Sequence, residues 1–108
     1  MPDGWRRMWL LIFYDLPVVQ PEQRKAATKF HDFLVDQGFD QLHYSVYHRF
    51  CGTVERTQTF ERRVEAALPP WGNICSLRLT NRQMAAMKRW IRAQPDEPID
   101  PPSQLILF

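Results

Sequence analysis

Asp15 closes the run Met8-Trp9-Leu10-Leu11-Ile12-Phe13-Tyr14, seven consecutive apolar or aromatic residues, and Leu16-Pro17 follows it directly. Proline cannot donate to a sheet ladder and biases the residue before it toward extended geometry, so the strand must end near Asp15. A carboxylate then stands at the carboxyl edge of a strand, where open α/β sheets commonly build their sites. The other reactive side chains are scattered. His43 and His48 lie five residues apart and point to opposite faces of a regular strand, so they form neither a metal pair nor a catalytic dyad. Cys51 and Cys75 lack metal-ligand spacing and are too few to frame a disulfide scaffold, which leaves them as buried free thiols. No second acid or histidine is clearly placed to serve Asp15 as a general base.

The basic residues form the second candidate group. Over 108 residues the formal charge is only +2, but all 14 Lys and Arg precede residue 94, while Asp96, Glu97 and Asp100 follow it. Residues 1–94 thus carry 14 basic against 9 acidic groups, a balance of +5. That charge is compatible with a phosphate partner and equally with an ordinary solvated surface. Clustering and strand position select Arg24, Lys25, Arg49, Lys88, Arg89 and Arg92 as candidates for holding backbone phosphate without reading sequence. Arg56, Arg62 and Arg63 alternate with Glu55, Glu61 and Glu65, the pattern of a solvated helix face.

The elements that must position these groups follow from periodicity. The run ending at Asp15 is too short to cross a bilayer and too continuous for a half-exposed strand, so it belongs at the centre of a sheet. Pro21-Glu22 opens a helix whose apolar stripe is Ala26, Ala27, Phe30, Phe33 and Leu34, with Gly38 as its C-terminal cap. Arg24 and Lys25 fall in its first turn, where the helix dipole disfavours cations. Asp40 to Cys51 reads as a second strand, with Leu42, Tyr44 and Val46 on one face and His43, Ser45, Tyr47 and Arg49 on the other. Thr53 caps a helix carrying Phe60, Val64, Ala67 and Leu68, and Pro69-Pro70 stops it. A third strand spans Ile74 to Leu79. Between Asn81 and Ala93 helical and strand periods conflict. The four prolines and three acids of residues 94–103 make a stiff linker, and the chain closes on Leu105, Ile106, Leu107 and Phe108. The expected division is a domain over residues 1–94, then linker and terminal strand over 95–108. The first seven residues read as a loose extension. With no secretory signal visible, a cytoplasmic location follows.

This order points to an α+β, ferredoxin-like β-α-β-β-α-β domain with both helices on one face of the sheet. Such a sheet leaves its other face open, and self-association into a homodimer is the expected cover. The fold alone names no activity.

Several stretches carry a resemblance: Trp9-Leu10-Leu11-Ile12-Phe13-Tyr14-Asp15-Leu16-Pro17, Arg24-Lys25, Phe30 with Phe33-Leu34, Gly38-Phe39, Ser45-Val46-Tyr47 and Gln104-Leu105-Ile106-Leu107-Phe108. Together they resemble the CRISPR-associated protein two family, especially its type II branch, over nearly the whole chain. One departure is His43, where the family often has glutamine. The resemblance implies a ferredoxin-like homodimer at the centre of the spacer-acquisition complex, flanked by the CRISPR integrase subunit and bound to duplex DNA. It also implies a magnesium-dependent nuclease acting on DNA or single-stranded RNA, with Asp15 as the metal and catalytic residue. By the same resemblance, Asn81 to Ala93 becomes a short helix and a short fourth strand, and the terminal Leu105–Phe108 strand pairs with the other protomer or the integrase. Magnesium prefers six oxygen ligands, so one carboxylate per chain is a poor site and two copies across a twofold axis a better one. A DNA-binding adaptor without catalysis and a free-standing, toxin-like ribonuclease of the same fold are the alternatives.

Overall fold

The computed structural model of the chain describes residues 6–92. Its elements are β1 (Met8–Asp15), α1 (Pro21–Asp36), β2 (Asp40–His43), β3 (Val46–Gly52), α2 (Val54–Ala66), β4 (Asn73–Thr80) and α3 (Asn81–Ala85). The strands form one antiparallel sheet in the order β2-β3-β1-β4, so the apolar run is central as expected. The β-α-β-β-α-β order of a ferredoxin-like α+β domain holds. The expected terminal strand at Leu105–Phe108 and the expected linker lie outside the described residues, and no described helix is long and apolar enough to cross a membrane.

Two elements differ from the sequence reading. Asp40 to Cys51 is not one strand but a hairpin that turns at Tyr44-Ser45, and this break supplies the second of the two middle strands. The face assignment changes with it: Tyr47, expected on the polar face, is fully buried, and Tyr44, expected on the packed face, is exposed. A register shift between Gln41 and His43 puts Asp40 opposite His48 and His43 opposite Val46, so by register the two histidines share a face. The expected strand within Asn81 to Ala93 is absent up to Arg92, where the described residues end. After α3 the backbone is irregular, and the fourth strand is Asn73–Thr80. Leu68, assigned to the packed stripe of the second helix, lies past its end and is exposed.

Each helix is stopped and started by local chemistry. Gly38, with φ of 88°, lets Phe39 N–H reach the Leu34 carbonyl and Gly38 N–H the Val35 carbonyl, both at 3.0 Å, which satisfies the last turn of α1. Thr53 Oγ1 accepts from Arg56 N–H at 3.2 Å at the start of α2. Thr80 and Gln83 form a reciprocal capping box on α3, whose first residue also ties Asn81 N–H to the Arg7 carbonyl at 2.7 Å. Leu10 and Ile12 of β1, Phe30 and Leu34 of α1, Tyr47 and Cys51 of β3, Phe60 and Val64 of α2, and Phe39 make the core. At about 1.5–3 kcal/mol for each fully buried large apolar side chain, this single layer between helices and sheet is the main source of stability. The other face carries Trp9, Leu11 and Phe13, alongside Val46, His48 and Phe50 of β3 and Leu77 and Leu79 of β4, by strand alternation and register. Phe13, Phe50 and Leu77 are exposed there.

Candidate functional site

Asp15 is the last residue of β1, opposite Asn73 of β4, and it continues the odd-numbered row of Trp9, Leu11 and Phe13 on the open face. The strand end is fixed from three sides. Tyr14 N–H donates to the Ser45 carbonyl at 3.1 Å, the Asn73 register holds the β4 side, and Gly72 packs so closely that a Cβ there would sit 2.7 Å from the Asp15 carbonyl oxygen. The Asp15 side chain is exposed, with no hydrogen-bond or ion-pair partner among the described residues. Its carboxylate is thus presented, not used for capping.

The neighbouring groups are less reactive. Tyr14 turns inward, edge-on to Phe30 at 5.3 Å between ring centroids and stacked on Tyr47 at 5.8 Å. The Tyr47 hydroxyl is hydrogen-bonded to His31 Nδ1. Burial, reinforced by Tyr47, holds the Tyr14 phenol far above the usual tyrosine range, and burial likewise raises Tyr47. Both remain protonated at neutral pH and neither is a base. His48 stacks on Trp9 with centroids 5.3 Å apart, and burial lowers its pKa below the ordinary histidine value. Its Nδ1 is buried without a partner. Among the described residues no three His, Cys, Asp or Glu side chains come together as a metal site. Asp15 is thus not part of a three-residue metal cluster within the described part of one protomer. A single carboxylate does not make a site by itself, although the exposure of Asp15 leaves room for a second carboxylate.

The candidate basic residues do not form one patch. Arg24 and Lys25 lie at the start of α1, near the Asp15 end of the sheet. Arg24 Nη1 donates to the Val19 carbonyl at 2.8 Å and to that of Val18 at 3.3 Å, which accounts for a cation in the first helical turn: it ties down the loop after β1. Arg49 lies on the helical side of the sheet, with Nε donating to the Gln37 carbonyl at 2.7 Å. Lys88, Arg89 and Arg92 are exposed and follow α3, which begins at the opposite end of β1 from Asp15. Burial is what lowers the His48 pKa; the Asp40 charge opposes this and the Arg89 charge adds to it. Sequence reasoning missed two exposed aromatic side chains in turns beside the Asp15 end, Tyr44 between β2 and β3 and Trp71 just before β4. For Trp71 a large aromatic in a turn, with no strand or helix face to fill, was the available signal, whereas Tyr44 gave none because its turn was hidden in a strand pattern.

The family model described as CRISPR associated protein Cas2 matches residues 8–87. This chain belongs to the Cas2 family. The matched span runs from the first residue of β1 to just past α3 and includes Asp15, so every described element of this Cas2 chain lies inside it. Lys88, Arg89 and Arg92 lie beyond it. The chain is similar to CRISPR-associated endoribonuclease Cas2 2 of Rhodospirillum rubrum, 55% identical over 112 residues that cover all of both chains. It is also similar to proteins named CRISPR-associated endoribonuclease Cas2 from two other bacteria. That of Flavobacterium psychrophilum is 35% identical, covering 98% of this chain and 92% of that protein. That of Parvibaculum lavamentivorans is 34% identical, covering 94% of this chain and all of that protein.

Proposed function

We propose that this Cas2 chain acts as a homodimer in CRISPR spacer acquisition, joining the integrase subunit on duplex DNA, and that paired Asp15 carboxylates give it magnesium-dependent endonuclease or endoribonuclease activity. The observation that carries this reading is the exposed, unpartnered Asp15 at the end of the same row as an uncovered apolar sheet face. A second copy packed over that face by a twofold axis can bring a second Asp15 toward the first. Bound magnesium would supply a polarised water and charge neutralisation at the scissile phosphate. Asp15 would hold the ion, while Arg24 and Lys25 are the nearest candidates for orienting the strand. The names of the relatives support the nuclease part of the reading. Arg49, Lys88, Arg89 and Arg92 remain candidates for backbone phosphate, and Leu105–Phe108 for pairing with a sheet edge of the other protomer or of the integrase. The edge strand β4, paired only with β1 among the described residues, is one such edge.

The test is co-purification with the cognate integrase, followed by duplex binding, spacer integration and cleavage assays on wild type and Asp15→Asn. Asparagine keeps the shape and an acceptor but removes the charge. Cleavage of RNA or DNA should vanish in the variant, with fold, dimer and duplex binding kept. Undiminished cleavage by the purified variant would place the activity elsewhere. A purely structural adaptor is favoured by one observation, the lack among the described residues of any group of three His, Cys, Asp or Glu side chains that could hold a metal. It predicts full integration by Asp15→Asn and no cleavage by wild type. Failure to associate with the integrase would instead favour a free-standing ribonuclease.

A further inference from the structure

Phe60 is buried in the core, and three guanidinium groups converge on its ring. Arg49 of β3 lies over it at 4.0 Å from the centroid, Arg63 at 4.9 Å and Arg56 at 5.7 Å, the last two from α2. None is ion-paired: among the described residues the one salt bridge joins Arg78 to Glu61 at 3.6 Å. Glu61, the acid adjacent to Phe60, also accepts from Ser76, so it is turned toward β4 and away from the arginines. Most of the donors are unused. Of the five N–H groups on each guanidinium, Arg49 spends one on the Gln37 carbonyl and one on that of Phe50, Arg63 spends one on Gln37 Oε1, and Arg56 spends none among the described residues. Arg56 also stands in the first turn of α2, where Glu55 offsets its charge at the helix start but makes no ion pair with it. The sequence pattern suggested a solvated helix face. The structure instead adds Arg49 from a different element and holds it by two backbone carbonyls with donors left over.

We propose that Arg49, Arg56 and Arg63 form a second phosphate-binding site, on the helical side of the sheet, that takes the backbone of a nucleic acid strand independently of Asp15. Guanidinium forks gathered on an aromatic platform suit phosphate oxygens, which they can engage in bidentate fashion. Arg49 pairs with Leu10, five residues before Asp15 along β1, or roughly 16 Å at 3.3 Å per residue, and it lies on the opposite face. The site is therefore separate from the one at the strand end. The choice of nucleic acid over a small anion rests on the proposed function.

The experiment measures duplex DNA affinity over a series of salt concentrations for wild type, Arg56→Gln/Arg63→Gln and Arg62→Gln, with single-stranded RNA and tripolyphosphate binding in parallel. Arg62 is the control, a cation of the same helix whose Nη2 donates to Thr59 and which makes no contact with Phe60. Losing two phosphate contacts should flatten the logarithmic salt slope by about 1.8, and Arg62→Gln should leave it unchanged. If the double variant melts early, Arg56→Gln alone serves, with an expected change of about 0.9. Equal slopes for the double variant and the Arg62→Gln control would overturn the proposal. A wild-type protein that ignores DNA and RNA but binds tripolyphosphate, with binding lost in the double variant, would overturn both the strand as ligand and the proposed function, leaving a small-anion site. Binding of DNA with the slope of wild type in every variant would remove this site while keeping the proposed function.

Discussion

Replacing Gly72 with alanine should cost more than any glycine substitution elsewhere in the described domain. Gly72 has φ of 101°, and a Cβ built there would lie 2.4 Å from Leu16 Cδ2, 2.7 Å from the Asp15 carbonyl oxygen and 3.2 Å from Leu16 Cα. Leu16 Cδ2 can swing aside, but the Asp15 carbonyl belongs to the strand end that faces Asn73. Restoring ordinary contact at 3.4 Å requires a shift of about 0.7 Å in that backbone. The left-handed conformation adds roughly 1–2 kcal/mol for a residue with a Cβ, and overpacking adds about 1–3 kcal/mol. A total of about 2–5 kcal/mol is a large part of a small domain's stability, and at roughly 4–8 °C per kcal/mol it should lower the Tm by about 8 °C or more. Gly52→Ala is the internal control: its φ is 90°, yet the nearest atom to its Cβ, the Arg6 carbonyl oxygen, lies at 3.9 Å, so only the conformational cost applies. Urea and thermal melts of both variants read the difference directly. In the proposed nuclease reaction, a carboxylate-bearing backbone displaced by this much should also reduce cleavage by roughly tenfold or more at temperatures where the variant is folded. A Gly72→Ala protein as stable as Gly52→Ala would refute the argument that this glycine braces the Asp15 end.

His48 provides a pH test. Its folded pKa is lowered by burial, so its contribution to stability is complete above the ordinary histidine pKa of about 6.5 and is lost as pH falls through the lowered folded value. Urea midpoints measured from about pH 8 to pH 5 should fall less steeply in His48→Gln than in wild type. Thr53→Ala should destabilise by about 1 kcal/mol through loss of the α2 cap, read by the same melts. Removing the residues after Pro102 should weaken the dimer or the integrase complex in sedimentation and pull-down assays, with an unchanged far-ultraviolet spectrum. Wild-type assembly by the truncated protein would mean that the terminal segment has no partner role.

The parts of the fold that were legible in the sequence are those where one local signal dominates. Seven apolar residues ending at a proline can only be a buried strand, and Gly38 and Thr53 sit at helix ends for reasons of backbone geometry alone. The hairpin at Tyr44-Ser45 was not legible because it turns without glycine, asparagine or proline, and no residue in it adopts positive φ. With the break hidden, the alternation was carried through it in the wrong phase, which turned Tyr47 outward on paper although it is a core residue. Lys88, Trp90 and Arg92 alternate like a strand, yet nothing in that spacing reveals that Asn73–Thr80 already occupies the place beside β1. The position of Asp15 was legible from Pro17. The Arg49, Arg56 and Arg63 grouping was not, because it joins β3 to α2 through a ring that sequence assigns only to the core.

The central place of β1 has a consequence for how the chain is made. Its neighbours are β3, paired from Met8 with Gly52, and β4, paired from Met8 with Thr80. The strand that leaves the ribosome first is therefore the one completed last. At roughly 5–20 residues per second, the interval between synthesis of Asp15 and of Thr80 lasts several seconds, during which the most apolar segment of the chain has an unpaired edge. Within that interval α1 is the first element made that can shield its core face, since Phe30 and Leu34 share the core with Leu10 and Ile12 and precede β3 and α2 in the chain. A nascent chain stalled before β4 should accordingly be prone to aggregation, and substitutions that weaken the apolar stripe of α1 should lower soluble yield more than their effect on the finished domain would suggest.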